Sequence, residues 1–99
     1  MRKIILFAFL LIFSNLAFAD PKMELGLDVY KAQCGMCHAL QTAGSEGQIG
    51  PNFDQLRPSI PQVIAAVTNG IGVMPPFEGT LSSEEIEAVA YFISASAGH

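Results

Sequence analysis

Cys34-Gly35-Met36-Cys37-His38 is the stretch on which the reading of this chain turns. Two cysteines separated by two residues and followed at once by a histidine form the C-x-x-C-H pattern of a c-type haem attachment site. The reason is geometric. Thiols three positions apart on a helical turn can each add to one vinyl group of the same porphyrin, and the adjacent imidazole then lies beneath the iron. Other uses of the pair explain less. A thioredoxin-like redox site calls for a βαβ context that the flanking residues do not offer. A zinc site built on Cys34, Cys37 and His38 needs a fourth ligand, and the only other histidine is His99 at the end of the chain. A structural disulfide across so short a loop removes little unfolded-state entropy and leaves His38 unexplained.

Upstream, Leu27, Tyr30, Lys31 and Cys34 recur at helical spacing, which predicts a helix from about Glu24 to Gln33 that delivers Cys34 to the core side. Gly26 thins this helix at one point, where another backbone can approach closely. Further back, Arg2 and Lys3, the unbroken apolar run Ile4 to Phe13, and Ala17-Phe18-Ala19 have the layout of a secretory signal, with the mature chain starting at Asp20. The alternative is a retained anchor, for which ten uninterrupted apolar residues fall short of the ~20 that a spanning helix needs. The signal would be residues 1–19 and the folded domain residues 20–99.

Cleavage removes Arg2 and Lys3 but none of the nine acidic residues, so a chain of net charge −4 becomes one of −6. An acidic export product is a poor binder of nucleic acid, whose phosphates need Lys and Arg. It also leaves a chain short of core. The 99 residues contain nine Gly, six Pro, no Trp and only the two cysteines, so a domain of this size needs apolar volume from elsewhere.

Downstream, no apolar alternation is long enough for a sheet, and the pattern is helical. Ile60 to Asn69 reads as a short helix with Pro61 in its first turn, a stripe of Ile60, Ile64 and Val67, and Gly70 at a left-handed C-terminal position. The last helix is the best signalled. Ser82 and Glu85 form a capping box, Leu81 and Ile86 a hydrophobic staple, and Ile86, Val89, Ala90 and Ile93 the buried face, with Gly98 as its stop. Between these helices lie two long loops, Gly44 to Pro58 and Gly70 to Thr80, whose apolar Ile49, Phe53, Leu56, Val73, Met74 and Phe77 argue against disorder. They need an object to wrap around.

A haem iron held by His38 takes its other axial ligand from across the ring. Met1 leaves with the signal, Met36 lies inside the attachment turn, and Met23 precedes the first helix, which leaves Met74. Pro75 and Pro76 fix the backbone beside it, so a thioether there is presented at low entropic cost. The plain alternative is that Met74 packs in the core.

On these residues the chain from Asp20 onward resembles the class I cytochromes c of the small bacterial kind: C-x-x-C-H at 34–38, then Gly50-Pro51-Asn52, a Met74-Pro75 loop and a last helix carrying Tyr91-Phe92. The resemblance implies an all-α fold of three or more helices wrapped around one haem c, bound covalently through thioether bonds from Cys34 and Cys37. It implies His38 as proximal and Met74 as distal ligand. Pro51 matches a proline whose carbonyl accepts a hydrogen bond from the proximal histidine, and Gly26 with Tyr91 matches a crossing of the first and last helices. The chain departs from longer members in having only 35 residues between His38 and Met74 and no tryptophan for a haem propionate. Arg57 either takes that role or is a solvated loop residue.

With both axial positions filled there is no open site for substrate, so one-electron transfer rather than catalysis is expected. The expected setting is a periplasmic chain, with redox partners that carry basic docking patches, met as a monomer in transient complexes. Residues of the Met loop, with Leu40 and Ile71, are expected to rim the exposed haem edge. Two other functions stay open: a haem c subunit or electron acceptor of a periplasmic dehydrogenase oxidising sulfite or an alcohol, and a gas-binding sensor in which Met74 does not ligate.

Overall fold

Asp20 opens the first helix, α1, at Pro21–Gln33, three residues ahead of the expected start, because its carboxylate accepts the amide of Lys22 at 3.0 Å and Pro21 supplies the fixed φ of a first turn. The computed structural model describes residues 20–99, and the signal reading of residues 1–19 lies outside them. Among the described residues no helix is long and apolar enough to cross a membrane. The buried face of α1 is Gly26, Val29 and Tyr30, continued by Cys34, whereas Leu27 is half-buried and Lys31 exposed. The expected stripe was therefore rotated, and the reason is Gly26, which turns the helix to meet the last one.

After the attachment turn the chain makes a feature that the sequence pattern does not reveal, a hairpin of β1 (Ala39–Leu40) and β2 (Ser45–Glu46), joined by a 3-10 turn at Gln41–Ala43. Two residues per strand are too few to leave a period. A second such element, α2 (Phe53–Leu56), lies inside the first expected loop. Asn52 caps it by accepting from the amides of Asp54 at 2.9 Å and Gln55 at 3.4 Å, and it stops at Arg57, held in left-handed conformation before Pro58. Helix α3 (Ile60–Asn69) matches its expected span, with a capping box of Ser59 and Gln62. It buries Val63 and Val67 and leaves Ile60 exposed. Gly70 has the expected positive φ of 74°, but its ψ of 163° sends the chain out extended. A Cβ there would stand 2.7 Å from the Met74 carbonyl oxygen. Helix α4 (Ser83–Ser96) carries the expected box, with the Ser82 hydroxyl accepting from the Glu85 amide at 3.1 Å and the Glu85 carboxylate accepting from the Ser82 amide at 2.9 Å. A cap of this kind contributes about 1 kcal/mol.

The most extensive contact in the fold is α1 against α4, followed by α3 against α4. At the first crossing Gly26 lies against the Ala88 carbonyl and Phe92, so close that a Cβ would stand 2.6 Å from that of Phe92. Phe92 is thus the aromatic partner of Gly26. Tyr91, expected in that place, is half-buried at the rim with the Lys22 ammonium 5.2 Å from its ring centroid. Tyr30 is the centre of the core. It is fully buried, with ring centroids 5.8 Å from Phe92 and 6.2 Å from Phe53, and its hydroxyl shares a 2.8 Å hydrogen bond with Ser45. Such ring pairs contribute about 0.5–1.5 kcal/mol beyond the area they bury. Leu40 is also fully buried, facing the core from the hairpin, which corrects its expected place on the haem rim.

Asp54 ties three parts of the chain together. Its carboxylate accepts the amide of Gln41 at 2.8 Å and that of Gly98 at 2.9 Å, joining the 3-10 turn, α2 and the C-terminal end. These two hydrogen bonds, the Gln41 one foremost, hold its carboxyl below the usual range. Arg57 is exposed on its loop and extends beside the same joint, with its guanidinium against Gly98.

Two outcomes follow. Gly26→Leu forces α1 and α4 apart and lowers the stability of the haem-loaded protein by roughly 1–3 kcal/mol or more; a melting temperature equal to that of the parent would contradict the crossing. A carboxyl held low in the folded state contributes stability that is present above the unfolded carboxylate range, about pH 4, and is lost as pH falls through the folded value. The melting gap between the parent and Asp54→Ala therefore narrows below about pH 4. A gap of the same size at neutral and acid pH would show that the carboxylate is not the joint.

Candidate haem site

The last turn of α1 runs directly into the motif. The Cys34 amide donates to the Tyr30 carbonyl at 2.8 Å, and the amides of Cys37 and His38 both return to the Cys34 carbonyl, at 3.1 and 3.0 Å. This winds residues 34–38 into one turn that holds both thiols free. Cys34 is buried in the core cluster and Cys37 is half-buried. Burial, and secondarily the neighbouring Cys37, pushes the Cys34 thiol up to about 11, so at neutral pH it is a protonated thiol and not the thiolate that a dithiol redox enzyme relies on. Among the described residues no three His, Cys, Asp or Glu side chains converge as ligands for an ion, so the zinc alternative has no geometry behind it.

His38 is buried, and its ring is fixed from several sides. Its Nδ1 lies 2.7 Å from the carbonyl oxygen of Pro51. A carbonyl can only accept, so Nδ1 donates and the free lone pair is at Nε2. The Phe53 ring stacks on the imidazole, with centroids 4.2 Å apart and planes 17° apart. Gly50 brings bare backbone over the imidazole, so that a Cβ would stand 2.7 Å from Nδ1. The same segment grips the turn beneath the ring: Gly50 donates its amide to the Cys37 carbonyl at 2.7 Å and Gly47 to that of His38 at 3.2 Å. At Gly47 a Cβ would be 2.6 Å from the His38 amide nitrogen.

Met74 belongs to the second loop. Its amide donates to the Ile71 carbonyl at 2.9 Å, and the Ile71 amide donates back to its carbonyl at 3.1 Å, closing a tight turn through Gly72, whose φ is +56°. The Phe77 amide donates to the Val67 carbonyl at 2.8 Å and anchors the far side of the prolines to α3. The Met74 side chain is half-buried against the core cluster. Cys34, Cys37, His38 and Pro51 are thus brought together, while Met74 stands on its own loop. The two loops also carry large apolar side chains in the open: Val73 is 88% exposed, Ile49 70% and Ile71 67%, and Met36 within the motif 86%.

The donor set fits a covalently held haem. Two free thiols at the right spacing, an imidazole whose Nδ1 is already used, a thioether on a stiffened loop, and apolar side chains on both loops are what a flat apolar macrocycle with one metal requires. Two solvent-open hollows, one beside the Gly47–Gly50 segment and bordered also by Glu46 and Asp54, the other bordered by Ile64, Leu81 and Glu87, include none of these donors. The sequence gives Phe53 no role beyond a loop hydrophobe, and it gives no close-packing role to Gly47 and Gly50; the available signal is two glycines within four residues of Pro51.

Comparison with known proteins agrees with this geometry. Residues 21–93 match the family model described as cytochrome c oxidase, cbb3-type, subunit III. Cytochrome c6 of Microcystis aeruginosa is 35% identical over 80 residues, covering 73% of this chain and 94% of that protein. Cytochrome c6 of Nostoc sp. is 35% identical over 89 residues, covering 82% of this chain and 80% of that one. Among solved structures, the c-type cytochrome SorU from Sinorhizobium meliloti superposes with a TM-score of 0.73 at 47% identity, over 78% of this chain and 92% of SorU. With a family match along nearly all of the described residues and relatives that it covers almost end to end, this chain belongs to the class I c-type cytochromes, small monohaem electron carriers with one covalently attached haem c.

Proposed function

We propose that this cytochrome is a periplasmic one-electron carrier in which Cys34 and Cys37 form the thioether bonds and His38 and Met74 are the axial ligands. The observation that supports the reading is the 2.7 Å hydrogen bond from His38 Nδ1 to Pro51, beside two free thiols, which leaves the Nε2 lone pair available to a metal. When bound, the haem supplies one-electron exchange between ferric and ferrous iron. The protein residues set the terms of that exchange. Pro51 fixes the tautomer of His38 and strengthens it as a donor. Met74, held by its paired hydrogen bonds with Ile71 and by Pro75 and Pro76, offers a thioether, a ligand that raises the potential. Filling both axial positions favours electron transfer over ligand chemistry and disfavours the gas sensor.

Export rests on the layout of residues 1–19, and docking on charge. A mature chain near −6, with Glu84, Glu85 and Glu87 exposed or half-exposed along α4, favours partners that present basic patches. The exposed Ile71 and Val73 are suited to a brief apolar contact within that field. A second reading, a haem subunit held in a larger oxidoreductase, is favoured by the description of the matching family as an oxidase subunit. Native mass measured on the exported protein separates the two: a carrier elutes as a monomer, a subunit with its enzyme.

Met74→Ala is expected to abolish the weak far-red charge-transfer absorbance of the ferric protein and to lower its midpoint potential; an unchanged band would assign the ligand elsewhere. The bimolecular rate of electron exchange with a basic redox protein is expected to fall roughly tenfold or more between ~0.01 M and ~0.15 M salt. A rate that stays flat or rises would rule out acidic docking.

A further inference from the structure

We propose that Phe53 is a positioning residue that sets the plane of the His38 imidazole and thereby the electronic structure of the ferric site. This rests on His38 being an axial ligand. A hydrogen bond from Nδ1 to a carbonyl tethers one edge of the ring, but a single bond tolerates a rocking of the imidazole plane about the Cβ–Cγ bond while its geometry stays acceptable. The stacked phenyl removes that freedom. At a centroid separation of 4.2 Å and an interplanar angle of 17°, any sizeable rotation of the imidazole would drive its edge into the phenyl face. Gly50 blocks rotation as well, since its backbone already lies closer to the imidazole than a Cβ would allow.

A phenyl can orient another ring only if it is itself held. Phe53 is buried, and it is the first residue of α2, whose start is fixed by the Asn52 cap. The Tyr30 ring meets it at an angle of 62° with centroids 6.2 Å apart, so its plane is fixed from another side. Asp54, next in sequence, is bound at both carboxylate oxygens, to Gln41 and to Gly98. The orientation of the imidazole is therefore inherited from the core through Tyr30 and from the chain terminus through Asp54. None of these residues is a ligand. The stacked phenyl also covers one face of the imidazole with apolar surface, and an apolar shell around a ligand disfavours the extra charge of ferric iron.

The test uses haem-loaded ferric protein read by electron paramagnetic resonance and by the proton shifts of the four haem methyl groups, both of which follow the orientation of an axial imidazole. In the parent, the imidazole plane derived from the methyl shifts should be near-parallel to the Phe53 ring located by nuclear Overhauser contacts. Phe53→Leu, which keeps apolar volume but has no plane, should shift the methyl pattern and the largest g value and lower the midpoint potential. Phe53→Tyr should restore all three. Should Phe53→Leu fail to accumulate, the parent measurement and Phe53→Tyr decide alone. A plane clearly non-parallel to Phe53 in the parent overturns the proposal, as does an unaltered methyl pattern in Phe53→Leu. A parent without a low-spin histidine-methionine signature overturns the ligand assignment as well, and is recognised before any variant is made.

Discussion

Everything at the site depends on the hydrogen bond from His38 Nδ1 to the Pro51 carbonyl. It decides which ring nitrogen is free, and with it where a metal can bind. To exist it needs the chain to double back within thirteen residues of the motif and to place a carbonyl beside a buried ring. The glycines make this return possible. Gly47 and Gly50 approach the 34–38 turn more closely than any side chain permits, and their amides occupy the carbonyls of His38 and Cys37. The hairpin and α2, short as they are, are the two ends of that return path. A motif that is only five residues long in sequence is, in space, a turn clamped by a second segment.

Segment 50–54 gathers the clamp into consecutive positions. Gly50 gives the imidazole room, the Pro51 carbonyl accepts its Nδ1 hydrogen bond, Asn52 caps the following helix, Phe53 stacks on the ring, and Asp54 ties the helix to Gln41 and Gly98. Each residue type has a separate physical reason to be where it is. The distal side is built more lightly, on one tight turn at residues 71–74, two prolines and the Phe77 amide. Met74 thus sits on a loop, whereas His38 is held by the core.

Much of this could be read from the residues. The helices announce themselves by caps and periodicity, and α3 and α4 start within a residue of where Pro61, Ser82 and Glu85 put them. C-x-x-C-H points to a haem, and Pro51 to the partner of His38. What could not be read has physical causes. Two-residue strands and a four-residue helix are shorter than any period. The face of α1 was misassigned because Lys31 and Leu27 fit a stripe, whereas contact with α4 is decided by the absence of a side chain at Gly26. Tyr91 and Phe92 are neighbours in sequence, and only the crossing geometry assigns Phe92 to the inside. Leu40 was placed at the haem rim by its nearness to His38 in sequence, although the hairpin turns it into the core. Phe53 was noticed as a loop hydrophobe, without the stacking that gives it a role.

The crossing of Gly26 with Ala88 and Phe92 joins positions some sixty residues apart, so the fold closes only when its last element arrives. Contacts of long sequence separation carry the larger loop-closure cost, and local ones can form without them. The turn that carries both thiols and His38 closes through hydrogen bonds between residues three to five apart, so its formation does not wait for α4 to pack over α1. The two parts of the site thus differ in what they cost to assemble: the motif turn is local, and the crossing that seals it is the long-range step. A glycine at that crossing lets the long-range step end in tight packing.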